Sequence, residues 1–336
     1  MKTVNCPLSL LKKPLKQEAR SDKMAQDFHQ KAINEKLYKL FLSEDFGGRN
    51  ESLPSAVDLI HKLSHEDGDL GWMVAIGTGG NYFCGYLDPE YAKEVYSTIN
   101  SLVAGSGATT GKAKRVDGGW KVSGNWKYAS GCKNATIFTF NALIEGTEEK
   151  ISVAIDPINV TIHDDWTGLG LAISDTHSVS VMDVFVPDHQ SFSGSEPKMI
   201  THPVQNYPFL EFAVLCFIPV VDGILGKMFD HALEIFESRN WDSEKIEALK
   251  SEVEDHWEEI RKLTNISWQA HLNNDLDLEE NARLMELCLA HNHQCRLVAT
   301  DLFGMLGMAV LYKEHPINKC FRDLLTASQH SLLKQV

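Results

Sequence analysis

Three stretches of the chain carry residue types that could do chemistry. Near the C-terminus, Arg322-Asp323-Leu324-Leu325-Thr326-Ala327-Ser328-Gln329-His330-Ser331 gathers a charged dipeptide, hydroxyls and a histidine. Residues three, four and seven apart share one side of a helix, so Arg322, Thr326 and Gln329 or His330 form a polar stripe able to face a ligand. A histidine, with an ordinary pKa near ~6.5, suits proton transfer at neutral pH. Arg322 and Asp323 read as an internal ion pair that sets the helix.

The second stretch runs from Gly119 to Gly131. On a strand, Trp120, Val122, Gly124, Trp126 and Tyr128 share one face, and Lys121, Ser123, Asn125 and Lys127 the other. It ends on Ser130, a hydroxyl that can donate and accept, and on Gly131, which permits close backbone approach. The third stretch, Cys288-Leu-Ala-His291-Asn-His293-Gln-Cys295, has metal-ligand types. Cys288, His291 and Cys295 could line up on a helix, but His293 would point elsewhere. Structural zinc needs four converging ligands, so no metal site is expected.

Three regions must position these groups: 1–98, 99–190 and 191–336. In the first the apolar spacing is helical, at Leu37, Leu40 and Phe41 and then at Val57, Ile60 and Leu63. Ser52 with Pro54, and Asp88-Pro89-Glu90, are helix starts, and the first residues form a loose tail. In the second the period falls to two, as at Ile151, Val153 and Ile155. Asp117-Gly118 is a tight-turn dipeptide predicting a hairpin. From about Asn206 onward the pattern is helical again. Leu302–Tyr312 reads as a buried helix in which Gly304 and Gly307 admit a close neighbour. It is too short for a bilayer, which takes about 20 residues.

The chain has 336 residues, 43% of them hydrophobic, and a net charge of −14. Such a length supports a large core divided among domains. The acidic excess argues against a nucleic-acid surface, which needs clustered Lys and Arg. Seven dispersed cysteines fit free thiols in a reducing compartment and a cytoplasmic protein.

The order helical, β, helical, with Tyr128-Ala129-Ser130 and the C-terminal Arg-Asp-…-Thr-Ala-Ser-Gln-His pattern, resembles the acyl-CoA dehydrogenase superfamily. The resemblance is to its two-component flavin-dependent monooxygenase branch. Asp67-Gly-Asp-Leu-Gly71-Trp72 and the span from Asp165-Trp166 to Val186-Pro187 also fit it. The resemblance implies an α+β fold: an N-terminal helical domain, a central antiparallel β domain and a C-terminal helical bundle, assembled as a homotetramer. It implies FMN or FAD, reduced by a separate flavin reductase and used with O2 on a small organic substrate, with no nucleic acid or membrane as partner. By the same resemblance Tyr128 flanks the isoalloxazine, Ala129 lies beside it, and Ser130 bonds near the flavin N5. The Val103–Gly111 loop, with Gly105, Ser106 and Thr109, would offer backbone amides to the ring carbonyls or a phosphate. Thr326 and Ser328 would contact flavin from the last helix, and His330 would be the acid–base group.

The departures matter too. Acyl-CoA dehydrogenases use a glutamate, one common place for it being a C-terminal Tyr-Glu-Gly-Thr-type segment. The corresponding stretch here is Ser328-Gln329-His330-Ser331, without a carboxylate. No Arg-plus-Phe-Gly pattern, which holds the adenylate end of FAD in those dehydrogenases, follows Arg239, and an arginine frequent in relatives is replaced by Ala172. The expectation is a monooxygenase that hydroxylates a small substrate. The alternatives are an acyl-CoA dehydrogenase acting on CH–CH bonds of an acyl thioester and a degenerate flavin-binding homologue.

Overall fold

A computed structural model describes residues 13–193 and 197–334. The expected tail falls on residues 1–12, outside the described residues. Helix α1 (Lys13–Asn34) is followed by α2 (Leu53–Glu66), α3 (Gly68–Gly79) and α4 (Pro89–Tyr96). Ser52 caps α2 by accepting the Ser55 N–H, and Asp67 and Asp88 cap α3 and α4 likewise. Each cap satisfies an amide that the first turn leaves without an intrahelical partner. The helical spacing at Leu37, Leu40 and Phe41 proves to be a 3-10 turn over Leu37–Lys39, preceded by Lys36 at a left-handed φ of 54° that a helix cannot continue through.

Seven strands come next: β1 (Val103–Val116), β2 (Gly119–Ala129), β3 (Ile137–Ile144), β4 (Lys150–Ile155), β5 (Thr161–His163), β6 (His177–Pro187) and β7 (Ser191–Phe192). Their order in the sheet is β5-β6-β2-β1-β3-β4-β7. The Asp117-Gly118 hairpin forms, with Val116 opposite Gly119 and Gly118 at φ 71°, where glycine carries no Cβ penalty. The sheet is mixed, not antiparallel throughout, because β3 pairs in parallel with β1, Val103 opposite Ile137. The chain leaves β2 beside the start of β1 and re-enters on the other side of β1, which leaves β3 only that direction. Trp126 anchors the sheet: its ring stacks on Phe140 at 4.2 Å, in space that a Cβ on Gly111 would invade.

Helices α5 (Phe209–Ser238), α6 (Glu244–Leu272), α7 (Leu278–Met305) and α8 (Pro316–Ala327) complete the fold. By length and composition α5 could cross a membrane, but 78% of its apolar window is buried inside the protein. It is the core helix, packed by α2, α3, α7 and α8. The first and last helical segments share one apolar core, and the sheet has another around Trp126, Phe138 and Phe140. The six described cysteines are free thiols. The expected buried helix over Leu302–Tyr312 does not form as read. α7 stops at Met305 and Gly307 takes φ 75°. A Cβ on Gly304 or Gly307 would meet nothing within 4 Å, and Met308, Leu311 and Tyr312 are exposed.

Candidate active site

β2 delivers Ser130 to a buried junction of sheet and helices. Its hydroxyl, 2% exposed, accepts the Trp72 indole N–H at 3.0 Å and shares a hydrogen bond with the Thr176 hydroxyl at 2.7 Å. Thr176 in turn meets the Ser174 hydroxyl at 2.7 Å, and the Gly131 N–H donates to the Ser174 carbonyl at 2.9 Å. Trp72 reaches this point because Gly71 lets α3 lie directly on α2, where a Cβ would overlap Ser64.

His330 joins the same junction from the other end of the chain. Its ring packs on Phe217 of α5 at a centroid distance of 4.0 Å and edge-on to Trp72 at 5.9 Å, and Trp72 stacks on Phe217 at 5.4 Å. His330 is not on the face of α8 as the spacing predicts. The helix ends at Ala327, and His330 caps the next 3-10 turn, its Nδ1 accepting the Leu332 N–H at 3.4 Å. With Nδ1 accepting, the neutral ring carries its proton on Nε2. Burial among aromatic rings pushes its pKa down to about 4, because desolvation penalises the charged imidazolium. His330 is therefore a neutral imidazole at pH 7.

The other expected residues divide. Ala129 is fully buried and pairs with His177. Tyr128 leaves the aromatic face of β2: a register shift between Trp126 and Ala129 and a φ of 64° turn its ring outward, 68% exposed and edge-on to Trp166. The Val103–Gly111 segment is part of β1, not a loop. Its ladder with β3 is interrupted between Ser106 and Gly111, and Gly107, Ala108 and Thr110 in that gap are exposed. Gly105 is required by strand pairing, since a Cβ there would overlap the Thr139 carbonyl. Ser328 is fully buried, its hydroxyl on the Leu325 carbonyl at 3.2 Å. The Thr326 hydroxyl accepts the Gly170 N–H and donates to the Arg322 carbonyl, both at 2.8 Å. Both hydroxyls are hydrogen-bonded within the protein. Arg322 and Asp323 do not pair either: Asp323 takes Lys319 at 2.7 Å, and Arg322 bonds Asn318 and the Leu169 and Lys313 carbonyls.

Sequence reasoning left Trp72 and Thr176 without a role, although both lie in motifs that it quoted. Phe217 gave no signal inside a continuous apolar helix. The Cys/His stretch also rearranges. His291 and Cys295 converge with Asp222 of α5, not with Cys288 or His293. Asp222 binds His291 at 2.7 Å and His61 at 2.9 Å, which makes a hydrogen-bonded tie between α2, α5 and α7.

The end of β2 and the gap in β1 lie side by side, joined by the Thr110 hydroxyl bond to the Asn125 carbonyl at 2.6 Å. Exposed backbone in a strand gap, an outward aromatic ring and a buried hydroxyl that shares Trp72 with neutral His330 fit a planar heteroaromatic cofactor with carbonyl and ring-nitrogen acceptors. No family model matches the chain. A Pseudomonas putida protein named indole-3-acetate monooxygenase is 26% identical over 322 residues, covering 89% of this chain and 81% of that protein. The crystal structure of a 3-HSA hydroxylase from Rhodococcus sp. RHA1 superposes with a TM-score of 0.85 at 20% identity, over 94% of this chain and 90% of that one. The chain's sequence relatives are flavin-dependent monooxygenases, and it shares the fold of the acyl-CoA dehydrogenase-like monooxygenases. XiaF from Streptomyces sp., solved with FADH2 and glycerol, has the same fold at a TM-score of 0.80 and 16% identity, over 95% of this chain and 94% of that one.

Proposed function

We propose that this monooxygenase takes reduced FMN or FAD from a separate flavin reductase and hydroxylates a small aromatic substrate with O2, as a cytoplasmic homotetramer. The observation that carries this is the convergence of Ser130, Trp72, Phe217 and His330. The titratable side chain packed on the Trp72 and Phe217 rings is a histidine. The nearby carboxylates Asp69 and Asp323 are tied to Lys319, so neither stands free to abstract an α-proton from an acyl thioester.

Reduced flavin supplies the electrons that activate O2. Ser130, Ala129 and Tyr128 would hold its ring system, and Gly105, Ser106 and Thr109 would face its carbonyl or phosphate side. Trp72 orients the Ser130 hydroxyl by occupying one of its acceptor positions. Phe217 and Trp72 exclude water and offer apolar surface to an aromatic ring. Neutral His330 can accept a proton from a substrate hydroxyl or ring nitrogen and return it later, a role that a permanently charged group could not fill. Turnover with a flavin reductase, NADH and labelled O2 tests the proposal: one labelled oxygen should enter an aromatic acceptor. Anaerobic bleaching of bound oxidised flavin by an acyl-CoA, with no label incorporated, would overturn it.

A further inference from the structure

Lys319 of α8 meets three carboxylates at once: Asp323 at 2.7 Å, Asp69 of α3 at 2.9 Å and Asp67, the cap of α3, at 3.0 Å. Asp69 and Asp323 are almost wholly buried. Their other oxygens accept backbone N–H groups from a single loop, Asp323 from Leu171 at 2.7 Å and Asp69 from Ile173 at 3.1 Å. α8 holds the same loop at two further points: Thr326 accepts the Gly170 N–H, and Arg322 donates to the Leu169 carbonyl at 3.0 Å. Gly170 lies so close to the backbone of Arg322 and Asp323 that a Cβ there would overlap it.

This loop needs holding. Leu171 and Asp175 take left-handed φ values of 51° and 49°, and such conformations in non-glycine residues persist only where the surroundings over-determine them. From Leu171 the bonds continue inward. Its carbonyl accepts the Ser174 hydroxyl at 2.7 Å, and Ser174 leads through Thr176 to Ser130.

We infer that Lys319 is a positioning residue for the active site: as the shared counter-ion of Asp67, Asp69 and Asp323 it fixes the 169–174 loop, which sets the direction of the Ser130 hydroxyl. Without the ammonium, Asp69 and Asp323 would be buried charges lacking a counter-ion. They would then take up protons or draw in water, and either change weakens their grip on the Leu171 and Ile173 amides. The effect on turnover rests on the proposed function. The effect on the loop does not.

The test uses full-length Lys319→Met, which keeps the stem and removes the charge, and Lys319→Arg, which keeps the charge. Amide exchange is read at residues 169–174 and turnover is read alongside it. Lys319→Met should speed exchange at Leu171 and Ile173 by about tenfold or more as the loop opens locally, while Lys319→Arg restores most of the protection. Turnover losses in Lys319→Met and Thr176→Val should be strongly non-additive and fall on kcat, not KM, because both act through Ser130. Unchanged exchange in a folded Lys319→Met, or additive losses with Thr176→Val, would overturn the inference. If Lys319→Met does not fold, Thr326→Val removes the Gly170 anchor alone, and unchanged exchange there overturns it equally. A wild-type chain without turnover would refute the proposed reaction and leave the exchange result to decide the role of Lys319.

Discussion

The Trp72 indole N–H and the Ser130 hydroxyl lie 3.0 Å apart, joining the end of β2 to α3 in the buried centre of the molecule. Ser130→Ala would leave that N–H without an acceptor. The hydrogen bond itself contributes roughly 0.5–1.5 kcal/mol, and an orphaned buried donor costs about 1–3 kcal/mol. Reduced-flavin affinity should fall by up to about tenfold, with a modest loss of thermal stability. Anaerobic titration of the variant with reduced FMN and FAD measures this, and wild-type affinity together with wild-type turnover would remove Ser130 from the site.

His330 touches Trp72 and Phe217, and its removal should separate chemistry from binding. His330→Ala should lower hydroxylation by the ~10²–10⁴ typical of acid–base catalysis, while reduced-flavin affinity stays within a few-fold. Equal loss of both would make His330 a packing residue.

Burial holds His330 near a pKa of about 4 and His202 likewise near about 4. The unfolded chain, with histidine near ~6.5, binds more protons between those values, so stability is full above about 6.5 and is lost as pH falls toward 4. Asp69 titrates with the opposite sign, its carboxyl pushed up chiefly by burial. Thermal midpoints of wild type and His330→Phe between pH 4 and 7 isolate the histidine, and the variant should show the smaller acid loss. Parallel curves would contradict the assignment.

Asp222 is buried between His61 and His291. Replacing it with alanine leaves two histidines without their shared acceptor, and breaking a buried pair of this kind costs about 3–5 kcal/mol. Urea unfolding should show that loss without a matching change in kcat. We also expect no stoichiometric zinc on Asp222, His291 and Cys295. The 2.7 Å between carboxylate and imidazole is a hydrogen bond, shorter than the ~3.3 Å that two ligands at zinc bond lengths span in a tetrahedron. One zinc per chain in protein purified without added metal would refute this.

Much of the architecture was legible in the sequence because it depends on local chemistry. Ser52 and Asp88 cap helices through their own side chains, Asp117-Gly118 turns a hairpin, and alternating apolar residues bury one side of β2 at Val122 and Trp126. The family pattern at Tyr128-Ala129-Ser130 and around His330 pointed to a flavin monooxygenase. Local pattern failed where long-range contacts override it. Tyr128 breaks its alternation because the pairing with β6 shifts register there, and β3 runs parallel to β1 because of where β2 ends.

The sequence alone pointed to most of the helices and strands and to the reaction family, and it singled out Ser130 and His330. Only the tertiary structure decided what those residues do to one another. Ser130 and His330 are 200 positions apart, and no periodicity links them; they share one junction because each touches Trp72 of α3, with Phe217 of α5 packed on the His330 ring. The same holds for Asp323. Its neighbour in sequence, Arg322, was the natural partner, but both point from α8 into different surroundings, and burial beside α3 gives the carboxylate to Lys319 and the Leu171 amide. A charge pairs with whatever counter-charge shares its buried space, and packing between distant elements creates that space.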